Sequence, residues 1–390
     1  ITDVDDKIND RLLSENISLN QLTTITINDF LEDCHALNNL KPDFEPKATD
    51  HIDEMILMIQ VLLEKKYAYV IEGNVFFNIK KYKEYGQLSN RSLDEMLIGS
   101  RIEVSKLKNN PSDFTLWKPS SIETPGWESP WGRGRPGWHI ECSAMSKKYL
   151  GENFDIHGGG ADLIFPHHEN EIAQSNCANG LNTMANFWVH NGYVNIENQK
   201  MSKSLKNFVT IFDLLKNYKG ETIRLFLLQA HYRAPLNYNY DALEEINKSL
   251  SSLYRSVENV EINGDPDDII IKNLMSDLNT PKAIARAHYL SEQANKGSKE
   301  ASQLLKNSSK ILGILESSTD EWFKTNIEKS ISFNQKKSFD KNEILNLINK
   351  RSIAKSNKNF VLADRIRSKL DKMGVLLEDK PDGTDWRFKR

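Results

Sequence analysis

Three cysteines in 390 residues, Cys34, Cys142 and Cys177, are too few for a disulfide framework. That scarcity excludes the small stapled secreted scaffolds and makes a reducing, cytoplasmic compartment the expectation. No apolar run approaches the roughly 20 residues a bilayer-crossing helix needs, and no signal peptide is visible, so no membrane partner is expected. No internal repeat marks a solenoid or propeller. Neither charge sign dominates, with 51 Lys and Arg against 54 Asp and Glu. An initiator methionine is also lacking. The chain opens on Ile1 in the middle of a pattern, "ITDVDDKI", with nothing there like a processing site, so a missing start is expected rather than a cleaved leader.

The length suffices for two or three domains with cores of their own. The charge is unevenly spread. From Lys341 to Arg390 there are 13 Lys and Arg against 7 Asp and Glu, a net of +6, which leaves −9 on residues 1–340. A basic tail on an acidic body points to an anionic partner for the tail, the alternative being a solvated helical face. Asp6 to Leu63 carries apolar residues at helical spacing, and "KKYAYVIEGNVFFNIKKYKEYG" reads as a hairpin about a Gly-Asn turn. A stretch dense in Pro, Gly and Trp then leads into new structure at Trp138. "YLGENFDIHGGGADLIFPHHENEIAQS" alternates short strands with loops before a helix, in α/β style. After Ala242 the pattern is helical, and Ser318 to Lys341 reads as a linker to a small C-terminal module.

In "FPHHENEIAQS", His167 and Glu171 are four apart and share a helical face, whereas His168 and Glu169 are expected to point elsewhere. Cys142 in "HIEC" offers a thiolate from a neighbouring segment. A Cys, His and carboxylate set suits zinc better than magnesium or calcium. The alternative is a surface ion pair, and three ligands leave a tetrahedral shell one short. Cys34 and Cys177 read as small buried residues.

"KMSKS" places Lys200, Met201, Ser202, Lys203 and Ser204 in a cationic loop able to grip the outer phosphates of a nucleotide, where charge grows during attack at the α-phosphate. Upstream, "DIHGGGADL" sets Gly158, Gly159 and Gly160 after a strand, letting backbone approach a base or ribose with His157 near phosphate. Taken singly, an ordinary basic turn and a tight glycine turn would explain both stretches.

Together these residues resemble a known family. "KMSKS" is a signature of class I aminoacyl-tRNA synthetases, and "ITDVDDKI", "GWHIECSAM", "FDIHGGGADLIFPHHENEIAQS" and "GTDW" look like the cysteinyl-tRNA synthetases in particular. The resemblance runs in order along the whole chain. It implies a Rossmann-like α/β catalytic domain lacking its N-terminal part, an inserted connective domain, a helical bundle and a small anticodon-binding module. Residues 1–45 and 133–190 would be the two parts of the catalytic domain, the second with the metal site. Residues 46–132 would be the insertion, 191–242 the KMSKS loop and stem-contact region, 243–340 the tRNA-binding bundle and 341–390 the anticodon module.

The same resemblance implies one Zn2+ held by Cys142, His167 and Glu171. The family's remaining cysteine ligand and its His-Ile-Gly-His signature lie in a segment that this sequence does not contain. Zinc would select the substrate thiol of L-cysteine over the hydroxyl of serine. ATP, with Mg2+, would be bound by Lys203 and Lys200 with Met201, Ser202 and Ser204, and by His157 and Gly158 to Gly160. Thr2, Trp138 and Asp162 would bind the amino acid or ribose, Trp138 having a core aromatic as its plain alternative. Asp364, Asp379 and Trp386 would contact tRNA(Cys). The family implies a monomer, and the 390 residues alone are expected to be inactive or nearly so. Two other readings fit the motifs: a ligase passing activated cysteine to a small amine, and a non-catalytic paralogue that binds RNA.

Overall fold

Several helices begin where the sequence supplies a capping oxygen. Asp5 accepts from Ile8 N ahead of Asp6–Glu15, Asn239 from Ala242 N ahead of Tyr240–Ser256, and Ser298 from Ala301 N ahead of Lys299–Leu312. Each satisfies a first-turn amide that has no partner within its helix. The computed structural model describes residues 1–90, 106–196, 199–201, 208–324, 341–357, 359–372, 375–380 and 383–388. Among them no helix is long and apolar enough to cross a membrane.

The chain divides into two compact units. The first comprises Ile1–Leu31, Leu40–Tyr193 and Arg233–Pro235. Its strands β1 (Ala68–Ile71), β2 (Asn74–Phe77), β3 (Phe114–Pro119) and β4 (Gly134–Pro136) form an antiparallel sheet in that order. The expected hairpin is β1–β2. Its turn is Glu72–Gly73, both at positive φ, so Asn74 already belongs to the strand. The Pro-, Gly- and Trp-rich stretch starts in β3 and ends in β4, directly before the helix Trp138–Leu150. Gly137 makes that junction possible, because a Cβ there would lie 2.1 Å from Thr115 O.

Helix Ile52–Glu64 buries Met55, Ile59 and Leu62 in a core with Phe77, Leu116, Trp117 and Ile140. Each such side chain contributes about 1.5–3 kcal/mol. Strands β5 (Phe154–Gly160) and β6 (Ala185–Asn191) run parallel, joined through helix Glu169–Asn179. That β-α-β unit is the building block of a doubly wound sheet, and its polar residues gather at the strand ends.

The second unit comprises Glu32–Asn39, Val194–Tyr232 and Leu236–Arg390. Strands β7 (Val194–Ile196), β8 (Gln199–Lys200) and β9 (Leu236–Tyr238) form a small sheet in the order β8-β7-β9. Gly220 sits so close to Ala36 O that a Cβ would come within 1.6 Å. Helices Tyr240–Ser256, Asp268–Met275, Thr280–Asn295 and Lys299–Leu312 enclose a core of Leu250, Leu253, Tyr254, Ala287, Leu305 and Trp322. Trp322 is fully buried, so ordered packing continues past Ser318. Helices Lys341–Ser356 and Phe360–Lys372 pack with Val375 of the hairpin formed by β10 (Val375–Lys380) and β11 (Gly383–Phe388).

Candidate active site and metal centre

Helix Glu169–Asn179 buries polar side chains nearly all the way round, and most of them have structural partners. Glu169 accepts from Gly86 N and Ser89 N at 2.9 Å each, and Asn170 accepts from the Tyr85 hydroxyl. Gln174 accepts from Ser143 Oγ at 2.6 Å, and Asn176 donates to Tyr82 Oη at 3.0 Å. Glu171 is different. It is 0 % exposed, and neither carboxylate oxygen receives a well-formed hydrogen bond. Oε1 faces His167 Nε2 at 2.9 Å, and Oε2 faces His157 Nε2 at 3.3 Å.

The expected group is assembled. Cys142, on helix Trp138–Leu150, brings its sulfur within 4.8 Å of ligand atoms of His167 and Glu171. One expectation is corrected: His168 does not point elsewhere. It lies three residues before Glu171, a spacing that makes helical neighbours just as four does. His157, His168 and Glu171 form a second group with ligand atoms within 4.8 Å. Of the other cysteines, Cys177 is buried as expected and Cys34 is half-exposed.

The electrostatics suit this cluster to a cation. Burial pushes the Glu171 carboxyl upward, but the imidazoles of His157 and His167 reverse this and hold it well below the carboxylate range. Burial, followed by Glu171 and Glu141, pushes the Cys142 thiol far up. A buried carboxylate stays ionised only beside positive charge, and a thiol in this setting becomes a thiolate only when a metal displaces its proton. Sulfur, imidazole and carboxylate donors together fit zinc. His139 completes the surroundings. Its Nδ1 lies 2.8 Å from His167 Nδ1, and burial followed by His167 lowers its pKa to about 3.

Trp138 is 48 % exposed and tilts over His167 with ring centroids 4.2 Å apart, so it is not a core aromatic. Thr2 Oγ1 donates to Glu141 Oε2 at 2.8 Å. Glu141 is buried, and this burial raises its pKa to about 8 against the Thr2 hydrogen bond. Beside Trp138 and His139 opens a cavity of about 300 Å³, also lined by Phe165, Pro166, Lys118 and Arg135.

His157 stacks edge-on to His168 and tilts against Trp188. Gly158, Gly159 and Gly160 close strand β5 opposite Val189, His190 and Asn191. The Gly159 backbone packs against a side chain of the protein itself: a Cβ there would lie 2.8 Å from His168 Cε1. Asp162 is exposed in the following turn.

Lys200 ends β8, and Met201 N donates to Val194 O at 3.2 Å. Ser202, Lys203 and Ser204 lie outside the described residues. Asp364 is exposed on helix Phe360–Lys372. Asp379 pairs with Thr384, and Trp386 with Leu377, across the β10–β11 hairpin. Sequence reasoning passed over His139, Glu141, Trp188 and His190. The first two lie inside the quoted "GWHIECSAM". The last two reach the site only through the parallel register of β5 and β6.

Residues 1–248 match the family model for the class I (C) tRNA synthetase catalytic domain. The chain is 47 % identical over 390 residues to the cysteine--tRNA ligase of Pelagibacter ubique, covering 100 % of this chain and 84 % of that protein. It is 46 % identical to the cysteine--tRNA ligase of Granulibacter bethesdensis, covering 99 % and 82 %. Among solved structures, Mycobacterium tuberculosis methionyl-tRNA synthetase bound by methionyl-adenylate is similar with a TM-score of 0.52 at 14 % identity, over 79 % of each chain. That is a likeness of fold alone. The full-length relatives favour tRNA ligation over amine transfer or a binding-only role. The chain thus belongs to the class I aminoacyl-tRNA synthetases, in the cysteine--tRNA ligase family.

Proposed function

We propose that the chain's residues serve the ATP-dependent activation of L-cysteine and its transfer to tRNA(Cys), with one zinc ion held by Cys142, His167 and Glu171. The observation that carries this reading is the buried Glu171 carboxylate. Neither of its oxygens receives a well-formed hydrogen bond, and it sits with a thiol and an imidazole within 4.8 Å. Zinc bound there would prefer the sulfur of cysteine to the oxygen of serine, a distinction shape alone makes poorly.

The chain's own residues do the rest. Trp138 offers its exposed face as a wall for the amino acid, and Thr2 is oriented by Glu141. Asp162 completes the amino-acid and ribose side. The cysteine carboxylate attacks the α-phosphate of Mg2+-bound ATP, releasing pyrophosphate. Lys203 and Lys200 neutralise the charge that grows on the leaving phosphates, and Met201, Ser202 and Ser204 shape their loop. His157 with Gly158 to Gly160 lines the nucleotide. The terminal ribose hydroxyl of the tRNA then takes the cysteinyl group and AMP departs. Residues 243–340 and the basic tail supply phosphate contacts, with Asp364, Asp379 and Trp386 reading the anticodon. The working form is a cytoplasmic monomer.

The test is cysteine-dependent ATP–pyrophosphate exchange and charging of tRNA(Cys) by zinc-replete protein, with serine as the competitor. Cys142→Ser and Glu171→Gln should each lose both zinc and discrimination. Zinc-free protein that still prefers cysteine would overturn the role given to the metal.

A further inference from the structure

Glu171 has two carboxylate oxygens, and the fold directs them at different partners. Oε1 faces His167, in the group with Cys142, whereas Oε2 faces His157. We propose that His157, His168 and Glu171 form a second divalent-cation site that shares the Glu171 carboxylate with the first.

The donors match the chemistry. Two imidazoles and a carboxylate are a recurring three-ligand set for zinc, and their softness selects zinc, cobalt or nickel over magnesium and calcium. A carboxylate shared between two cations is a familiar way of building a two-metal centre. The site is also preorganised. His168 is 1 % exposed, and its Nδ1 lies 2.8 Å from His190 Nε2, which leaves Nε2 to face a metal. An outer partner of this kind fixes a ligand's tautomer and ring plane. His190 is itself stacked on Trp188, which also flanks His157. On the other side of His168 stands Gly159, where a Cβ would approach Nε2 to 3.0 Å. The His168 ring is thus held between a hydrogen-bonding partner and bare backbone, with one ring nitrogen within 4.8 Å of ligand atoms of Glu171 and His157.

Two dications sharing one carboxylate repel each other, so the second binds more weakly than the first and exchanges more readily. The inference takes the zinc reading only for that ranking. The second set of donors stands without it.

Cobalt(II) titration of the full chain separates the two sites, because cobalt bound to thiolate absorbs in the near ultraviolet and cobalt on imidazole and carboxylate alone does not. The expected result is two successive equivalents, one with sulfur-to-cobalt absorption and a weaker one with visible bands only. Cys142→Ser should remove the ultraviolet signal and keep the sulfur-free equivalent. His168→Gln should do the reverse, and His190→Phe should weaken the sulfur-free site by about tenfold or more. His157→Gln serves as a second variant should His168→Gln fail to fold by circular dichroism. A single, thiolate-bearing equivalent would overturn the second site and leave the first intact. A sulfur-free equivalent that survives both His168→Gln and His157→Gln would overturn it as well, since the ion would then be bound elsewhere. Loss of only the thiolate-bearing equivalent in the native chain would instead sink the zinc reading.

Discussion

His139 Nδ1 lies 2.8 Å from His167 Nδ1, and this contact decides which nitrogen of His167 faces Glu171. Two ring nitrogens at that distance share one proton. When His167 Nε2 is protonated toward Glu171 Oε1, 2.9 Å away, its Nδ1 must accept from His139. When Nε2 binds a metal, its Nδ1 must donate to His139 instead. A metal held at Nε2 would therefore move the shared proton from one ring to the other.

Replacing His139 by Phe removes the acceptor that the metal-bound form of His167 needs. Zinc affinity, read by competition with a chromophoric chelator, should fall about 10- to 100-fold. His139→Asn, whose side-chain oxygen can stand near the Nδ1 position, should recover part of it. Imidazole 15N spectra of the native chain should show His139 and His167 exchanging tautomers as zinc is added. Unchanged tautomers on zinc addition would refute the proton shift.

Much of this centre was legible in the sequence, because helical spacing at i and i+4 fixes His167 against Glu171 whatever the rest of the fold does. His168 was legible by the same geometry at i and i+3, and was missed by weighing one spacing alone. His190 and Trp188 could not be read this way. They lie more than 20 residues from His168 and His157 or across a strand register, and only the parallel pairing of β5 with β6 brings Trp188 beside His157. Glu141 was hidden for another reason: one acidic residue in an otherwise ordinary helix gives no sign that Thr2 will hydrogen-bond to it. The hairpin at Ala68–Phe77 was readable from alternation and turn residues.

The glycine triplet divides by what surrounds each member. A Cβ at Gly158 would meet only Val189 O at 3.5 Å, an ordinary contact, while one at Gly159 would press on His168 and on Leu163 Cδ1 at 3.1 Å. Gly158→Ala should leave the melting temperature nearly unchanged. Gly159→Ala should destabilise by about 1–3 kcal/mol through overpacking, since His168 is backed by His190 and has little room to yield. Equal melting temperatures would show that the ring moves freely.

Glu221 is a buried junction in the helical unit. Its carboxylate accepts from Leu315 N at 2.8 Å, from Glu316 N at 3.1 Å and from the Tyr254 hydroxyl. Glu221→Ala strands all three donors and should cost about 3 kcal/mol or more in denaturant unfolding. Glu221→Gln keeps one acceptor oxygen and should cost less. Burial raises the pKa of Glu221 above the usual value in spite of these hydrogen bonds. The folded state then holds the proton more tightly than the unfolded one, so this group's contribution to stability declines as pH rises through the ordinary carboxylate range toward the raised value. Glu221→Gln should remove that decline.

Asp267 has the opposite sign. It caps helix Asp268–Met275 through Ile269 N and Ile270 N and pairs with Arg286, whose Nη2 lies 2.8 Å from Oδ2. Burial pushes its pKa up, but the Arg286 hydrogen bonds and the amide donors outweigh this and leave it lowered. Its contribution to stability is therefore present above the unfolded carboxylate value, about 3.9, and is lost as pH falls through the folded one. Asp267→Asn keeps a good capping side chain and loses the charge, so it isolates the ionic part. At neutral pH the variant should be less stable than the native chain, and the gap should close progressively below about pH 4. Asp267→Ala also loses the cap and should cost about 2–4 kcal/mol at neutral pH. Unfolding curves for the three proteins from neutral to acid pH decide the matter. A gap between native and Asp267→Asn that persists unchanged to acid pH would mean that the charge of Asp267 does not stabilise the helix pair.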